Sequence, residues 1–159
     1  MQAVLASRID RLCAAEKELL QTLAVLGREF TLKLVQRVTL KSDDELDVML
    51  AHLQLGEFIN EQPAVSEVEY SFKHALTQQV AYNSLLTQRR QFIHEQTAHA
   101  IEALYEGQLE DHHGELAHHY LQGSNTVKAL RYAQLAAEQA VARGAFSEAA
   151  STIMSSGTH

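Results

Sequence analysis

The chain of 159 residues has few cysteines, prolines, glycines and aromatic residues. It contains one cysteine, one proline, seven glycines and no tryptophan, and aromatic residues make up 6% of it. Because Cys13 is alone, an internal disulfide bond is excluded, and nothing indicates a secreted protein. The scarcity of proline and glycine, with abundant Ala, Leu, Gln and Glu, favours a mainly α fold.

Long apolar runs and an excess of positive charge are also missing. The apolar runs are far shorter than the ~20 residues of a membrane-spanning helix, and the opening MQAVLASRIDRLC lacks the apolar segment of a signal peptide. The formal net charge of -7 argues against nucleic acid or an anionic membrane as partner, since both attract clustered Lys and Arg. We therefore expect a cytoplasmic protein, whose 46% hydrophobic residues can form a core.

The first half of the chain predicts short helices followed by a β-hairpin. The predicted helices cover residues 3–12, 14–26, 31–38 and 42–58, and the strands cover 57–62 and 68–72. Ser42 and Glu45 have the spacing of a capping box. In the second strand the alternation places Val68, Tyr70 and Phe72 inward and Glu69 and Ser71 outward. This order is typical of a winged helix, so we predict a winged-helix domain with a preceding helix over residues 1–86.

From His74 onward the pattern predicts only helices. They cover residues 74–86, 88–105, 109–121 and 127–143, and a further piece starts near Phe146. Several residues have the spacing of the tetratricopeptide repeat (TPR) pattern: Leu116, Tyr120, Ala129 and Ala136. Others replace residues preferred there: Ala117, Ala133 and Val141. We predict that residues 87–159 form a truncated, α-helical TPR-like segment, with a frayed tail from Ser151.

The helix in the DNA-recognition position of the predicted winged helix is acidic. Residues 42–58 carry five acidic side chains and no Lys or Arg: Asp43, Asp44, Glu45, Asp47 and Glu57. The hairpin adds Glu61, Glu67 and Glu69. Such a surface repels phosphate, so a DNA-binding regulator that uses Arg28, Lys33, Arg37 and Lys41 is a less favoured alternative to protein contacts.

Nine histidines raise the question of a metal site. In EDHHGELAHHYL, the spacing of His112, Glu115 and His119 makes a ligand set on one helix face geometrically possible. The segment has no known metal signature, however, and its apolar residues compete for the same helix. His94 and His99 are five residues apart and do not share a face. We predict that the chain has no metal site.

His74 stands where a strand gives way to a helix. A side chain at the first turn lies beside unsatisfied N–H groups and the positive end of the helix dipole, where a phosphate or carboxylate can bind. The alternative is that His74 only caps its helix or packs beside Phe72. The motifs GxxxxGK[ST], GxGxxG and GxSxG are all missing, so we expect no catalytic activity.

Three segments resemble a known family: LASRIDRLCAAEKELLQTLAVLGREF, VEYSFKHALTQQVAYNSLLTQRRQFIHEQTAHAIEAL and GELAHHYLQGSNTVKALRYAQLAAEQAVARGAFSEA. They resemble the region after the nucleotide-binding module of bacterial STAND-type signalling ATPases, in particular those joined to class III adenylate/guanylate cyclase domains. The middle segment is the most specific. Its matching residues are Tyr70, Phe72, His74, Leu76, Tyr82, Leu85, Arg90 and His94.

The resemblance implies a non-catalytic regulatory relay within a larger protein. An upstream AAA/NACHT-like ATPase domain would bind ATP or ADP with Mg, and downstream repeats would bind a protein partner. In related proteins a winged-helix histidine contacts the ADP phosphate, which makes His74 the candidate nucleotide sensor. The Walker segments of the ATPase and the cyclase core are missing, so we expect either a part of a longer protein or a free-standing protein-interaction adaptor.

Overall fold

The chain is mainly helical, with a small three-stranded sheet. A computed structural model describes the backbone of residues 2–156 and the side chains of residues 2–144. The helices are α1 (Gln2–Asp10), α2 (Ala14–Leu26), α3 (Leu32–Thr39), α4 (Asp43–Leu55), α5 (Ala75–Asn83), α6 (Thr87–Leu104), α7 (His113–Gln122) and α8 (Thr126–Ser156), with a 3-10 turn at Leu109–His112. The strands are β1 (Glu29–Thr31), β2 (Ile59–Gln62) and β3 (Glu69–Phe72).

The sheet is antiparallel, and β3 lies between β1 and β2. In its register Phe30 lies opposite Tyr70, and Ile59 lies opposite Phe72. The ring of Phe30 packs on the rings of Tyr70 and Phe72, with centres 6.2 and 6.0 Å apart. These four side chains are buried, so one face of the sheet is part of the core.

The apolar stripe of α2 confirms the helical periodicity of the sequence. The helix covers the predicted residues, and its four leucines are buried: Leu19, Leu20, Leu23 and Leu26. The start of α4 is also confirmed, since the Ser42 hydroxyl accepts a hydrogen bond from the Glu45 N–H at 3.3 Å. Such a cap satisfies a backbone donor that the first turn leaves unpaired.

The end of α4 differs from the prediction, which extended the helix to Phe58. The helix ends at Leu55, and Glu57 adopts a left-handed conformation with φ of 63°. The Phe58 N–H then donates to the Leu53 carbonyl, and the Glu57 N–H donates to the Gln54 carbonyl. These two bonds make a Schellman motif, which turns the buried Phe58 back onto the core.

The facing of β3 also corrects the prediction. Val68 lies before the strand and is 40% exposed, whereas Ser71, predicted to face outward, is only 8% exposed. Because β3 is the central strand, Ser71 lies against β2, where the Gln62 side-chain amide donates to its hydroxyl at 2.6 Å. A serine with such a partner can be buried on the face that alternation assigns to solvent.

The C-terminal helix α8 contains no break at Phe146, contrary to the prediction of a further helical piece. It runs from Thr126 to Ser156, so the frayed tail predicted from Ser151 is wrong as far as Ser156. Gly144 alone costs a helix only about 1 kcal/mol, and the segment contains no proline. Residues 157–159 lie outside the described part of the chain.

One cluster of buried side chains runs from Ile9 to Tyr132. It crosses the predicted division at residue 86 because α2 and α3 both contact α6. Beyond that point α6 packs on α7, and α7 packs on α8. Among the residues that the structure describes, no helix is long and apolar enough to cross a membrane.

Candidate functional site

His74 lies between β3 and α5, at the seam that the sequence predicts. It is the residue before the first turn of α5, with extended backbone angles φ of -133° and ψ of 139°. Its side chain is exposed and makes no capping hydrogen bond to the helix. His74 is thus the N-terminal cap residue of α5 by position, as the alternative predicts, although its side chain makes no capping hydrogen bond.

A second group of polar side chains lies between α6 and α7. The ligand nitrogens of His94, His118 and His119 all lie within 4.8 Å of one another. His94 and His119 are almost fully buried, with 1% and 3% of their surface exposed, whereas His118 is exposed. We call these three residues the histidine cluster.

Each buried ring of the histidine cluster is held from both sides. The Nδ1 atoms of His94 and His119 face each other at 2.9 Å. The Nε2 atom of His94 lies 2.9 Å from the hydroxyl oxygen of Tyr82 on α5. The backbone carbonyl of Leu26, at the end of α2, acts on the His119 ring as a hydrogen-bond acceptor and raises its pKa. The cluster therefore joins four helices.

These contacts determine where the protons lie. A carbonyl oxygen only accepts, so His119 uses an N–H against Leu26, and its Nδ1 is left to accept from His94. His94 then carries its proton on Nδ1, and its Nε2 accepts from the Tyr82 hydroxyl. With this assignment every polar atom of the chain Tyr82–His94–His119–Leu26 has a partner of the right kind.

Burial keeps both rings neutral. Desolvation lowers the pKa of His94 from 6.5 to about 4, and His118 and Arg90 lower it further through charge repulsion. Desolvation, with repulsion from His94 and His118, lowers the pKa of His119 to about 3 against the opposing effect of the Leu26 carbonyl. At neutral pH each buried ring therefore keeps one nitrogen lone pair, which accepts a hydrogen bond within the chain from Tyr82 to Leu26.

A cleft of about 380 Å³ opens beside the histidine cluster. Its walls come from the end of α2, from α5 and from the cluster itself: Ala24, Val25, Leu26, Gly27, Gln78, Gln79, Tyr82, His94 and His118. The cleft gives a small molecule or water a route to His118 and His94.

The structure does not bring together the ligand set that the sequence makes possible. His112 lies on the 3-10 turn, with its ring stacked on Tyr105 at 3.9 Å, and its Nδ1 is 3.7 Å from a Glu115 oxygen. His119 points instead toward His94. In the described residues, the ligand atoms of His112, Glu115 and His119 form no such group.

Sequence reasoning missed the histidine cluster because its members come from two helices. Spacing along the chain relates His94 only to residues of its own helix, such as His99, and His119 only to residues of its own segment. The adjacent pair His118 and His119, facing a helix that carries another histidine, was the available indication. Using it requires the register between α6 and α7, which helical periodicity does not provide.

The surface of α4 is acidic, as the sequence predicts. Its first turn exposes Asp43, Asp44 and Glu45, and Asp47 is also exposed. Lys33, one of the basic residues that DNA contact would use, lies 3.3 Å from a Glu67 oxygen. The exposed face of α4 therefore lacks the positive charge that a phosphate backbone requires.

No family model matches the chain, and no curated protein and no solved structure is significantly similar to it.

Proposed function

We propose that the chain is a non-catalytic regulatory relay of a STAND-type signalling ATPase. In this role it couples the nucleotide state of an upstream ATPase domain to a protein partner or to an attached cyclase-type output domain. The observation that carries the proposal is the exposed His74 at the first turn of α5, in the segment that most resembles this family.

The element order supports a winged helix as the receiving part of the relay. From α2 to β3 the chain runs helix, strand, two helices and two strands, and β3 pairs with both other strands. The sequence predicts the helices and the hairpin of this order for residues 1–86, but it does not predict β1. The acidic first turn of α4 disfavours DNA as the partner of such a domain, because DNA binding requires the release of cations by Lys and Arg.

The surroundings of His74 fit a contact with phosphate. The imidazole is exposed beside the first N–H groups of a nine-residue helix, where the backbone favours an anion. An imidazole N–H can donate to a phosphate oxygen in either charge state. ADP held by an upstream domain would thus favour docking of this seam, and ATP would weaken it.

Helix contacts provide a path from His74 to the C-terminal helices. Helix α5 packs on α1 and α2, and the Gln78 side chain donates to the Ala24 carbonyl at 3.1 Å. Helix α2 in turn contacts α6, on which α7 packs. Because these helices share one core, displacement of α5 is transmitted to the TPR-like segment over residues 87–159.

The test is ADP binding by calorimetry to a protein that joins this chain to its nucleotide-binding module. We expect His74→Ala to weaken ADP binding about tenfold or more, the scale of one charge-assisted hydrogen bond, and to leave ATP binding unchanged. The matched control is His99→Ala, which removes an exposed histidine from α6. Equal ADP affinity in the His74→Ala and unmodified proteins would contradict the proposal.

A free-standing protein-interaction adaptor is the second candidate. It is supported by apolar side chains exposed on α8 and the end of α7: Leu121, Val127, Leu130 and Val141. Exposed apolar surface of this kind is typical of protein-binding faces. The adaptor needs no nucleotide, so the same calorimetry separates the two functions.

A further inference from the structure

The geometry of the histidine cluster points to a divalent transition-metal site, for which zinc is the fitting ion, formed by His94, His118 and His119. We propose it independently of the relay function, which does not use these residues. It also replaces the prediction from the sequence that the chain has no metal site.

The three rings already have the spacing of ligands on one ion. Their centres are 5.1 Å apart for His94 and His119, 5.6 Å for His94 and His118, and 5.2 Å for His118 and His119. With metal–nitrogen distances of about 2.1 Å and tetrahedral angles, three imidazoles on one zinc ion have centres about 5 Å apart. The ligand nitrogens need to move only a little, and the exposed ring of His118 is free to turn.

The outer partners of the buried rings are those that metal-binding histidines use. A metal-binding imidazole usually donates its second N–H to a carbonyl, a carboxylate or water, which orients the ring. His119 has the Leu26 carbonyl in this position, and His94 has the Tyr82 hydroxyl. Both Nδ1 atoms are consequently directed inward, toward one point between them.

Binding would replace the hydrogen bond between the two Nδ1 atoms. The proton of His94 moves from Nδ1 to Nε2, where it donates to the Tyr82 oxygen, and the hydroxyl proton of Tyr82 turns away. Each Nδ1 then offers a lone pair to the ion, and neither buried ring gains or loses a proton. His118 supplies the third nitrogen from the surface.

A fourth coordination position would face the cleft. Three protein ligands with one open position, filled by water, are typical of zinc sites that are accessible to small molecules. The cleft beside His94 and His118 is lined by Gln78, Gln79 and Tyr82, whose polar groups can hydrogen-bond to such a water. Imidazole nitrogen suits zinc better than magnesium or calcium, which prefer oxygen.

The test is calorimetric titration of zinc ions into the tag-free chain after treatment with a chelator. We expect saturation at one ion per chain. His118→Ala changes an exposed position and preserves the buried pair. It should weaken zinc binding at least ~10- to 100-fold, because losing only an outer hydrogen-bond partner of a ligand already costs that much. His99→Ala, on the same helix as His94 but outside the histidine cluster, should bind as the unmodified chain does.

Two results would overturn the metal site. One is the lack of saturation at one ion per chain at micromolar concentrations. The other is zinc binding that does not depend on the histidine cluster: either His118→Ala binds zinc within threefold of the unmodified chain, or His99→Ala loses as much zinc affinity as His118→Ala. Both outcomes would indicate scattered binding to surface histidines. A Co²⁺ titration gives a second readout, since tetrahedral coordination by the histidine cluster should produce visible absorption that His118→Ala abolishes.

Discussion

His94 and His119 are neutral in the folded chain because their rings are almost completely removed from water. A positive charge on either ring would lose its hydration and would face the other histidines of the cluster at close range. In the unfolded chain both rings titrate near their ordinary pKa of 6.5. The difference makes the stability of the metal-free chain depend on pH.

The folded chain should lose stability as the pH falls below 6.5. Between pH 7 and pH 5 the unfolded state takes up protons that the folded state, with pKa values of about 4 and about 3, does not. Each buried imidazole should therefore cost about 2 kcal/mol of unfolding free energy over this interval. Urea denaturation of the metal-free chain at the two pH values measures the loss.

His119→Gln is the matched variant for this measurement. It removes one of the two titrating rings while keeping an amide that can donate to Leu26, so the loss between pH 7 and pH 5 should fall by about half. The exposed His99→Ala should retain the full loss. The prediction is contradicted if the unmodified chain has the same unfolding free energy at pH 7 and pH 5, since burial would then not lower the pKa of the two rings.

The sequence predicts single residues best where a local rule applies. The seam position of His74 follows from the change of period after Phe72, and the Ser42 cap follows from its spacing to Glu45. The histidine cluster does not follow from any local rule, because its distances depend on how two helices are aligned. The predicted outward facing of Ser71 is wrong for a similar reason, since its partner Gln62 belongs to another strand.

Helices α6, α7 and α8 are joined by one carboxylate. Glu102 on α6 accepts hydrogen bonds from the hydroxyls of Tyr120 on α7 and Tyr132 on α8, the latter at 2.6 Å. Lys128 lies 3.4 Å from the same carboxylate. Burial opposes the charge of Glu102, but the two hydroxyls and Lys128 outweigh it and lower the pKa of the carboxyl.

Glu102→Gln preserves the shape of the side chain, and we expect it to destabilise the helical segment. The amide replaces a charged acceptor by a neutral one, so two hydrogen bonds and an ion pair weaken, and we expect a loss of about 1–2 kcal/mol. The change in the urea midpoint measures this loss. Glu106→Gln, two positions beyond the end of α6 and exposed, is the control and should change stability by less than about 0.5 kcal/mol.

A Glu102→Gln variant as stable as its control would mean that the carboxylate does not hold the helices together.

The sequence predicts these helices from their apolar spacing, and Leu116 and Tyr120 are fully buried as expected. It does not predict the Glu102 contacts, which join residues 18 and 30 positions apart. The sequence also does not predict the continuous α8, since a further helical piece is expected near Phe146.

Across the whole molecule, the two predicted halves share one hydrophobic core. The contacts of α2 and α3 with α6 join them, and the histidine cluster lies at the same junction, between α2, α5, α6 and α7. A change at the start of α5 therefore has a packed path to the C-terminal helices. Composition and periodicity predict the mainly helical class and the order of the helices and the hairpin, but they do not predict β1 or the junction, both of which depend on tertiary packing.

The relay requires that the nucleotide state alter the seam between β3 and α5. The most direct measurement is amide hydrogen exchange of residues 70–78 in the protein that includes the nucleotide-binding module, with ADP and then with ATP. We predict slower exchange at these residues with ADP, because docking through His74 covers the first N–H groups of α5. The His74→Ala variant should lose this difference. Equal exchange rates with ADP and ATP in the unmodified protein would contradict the relay.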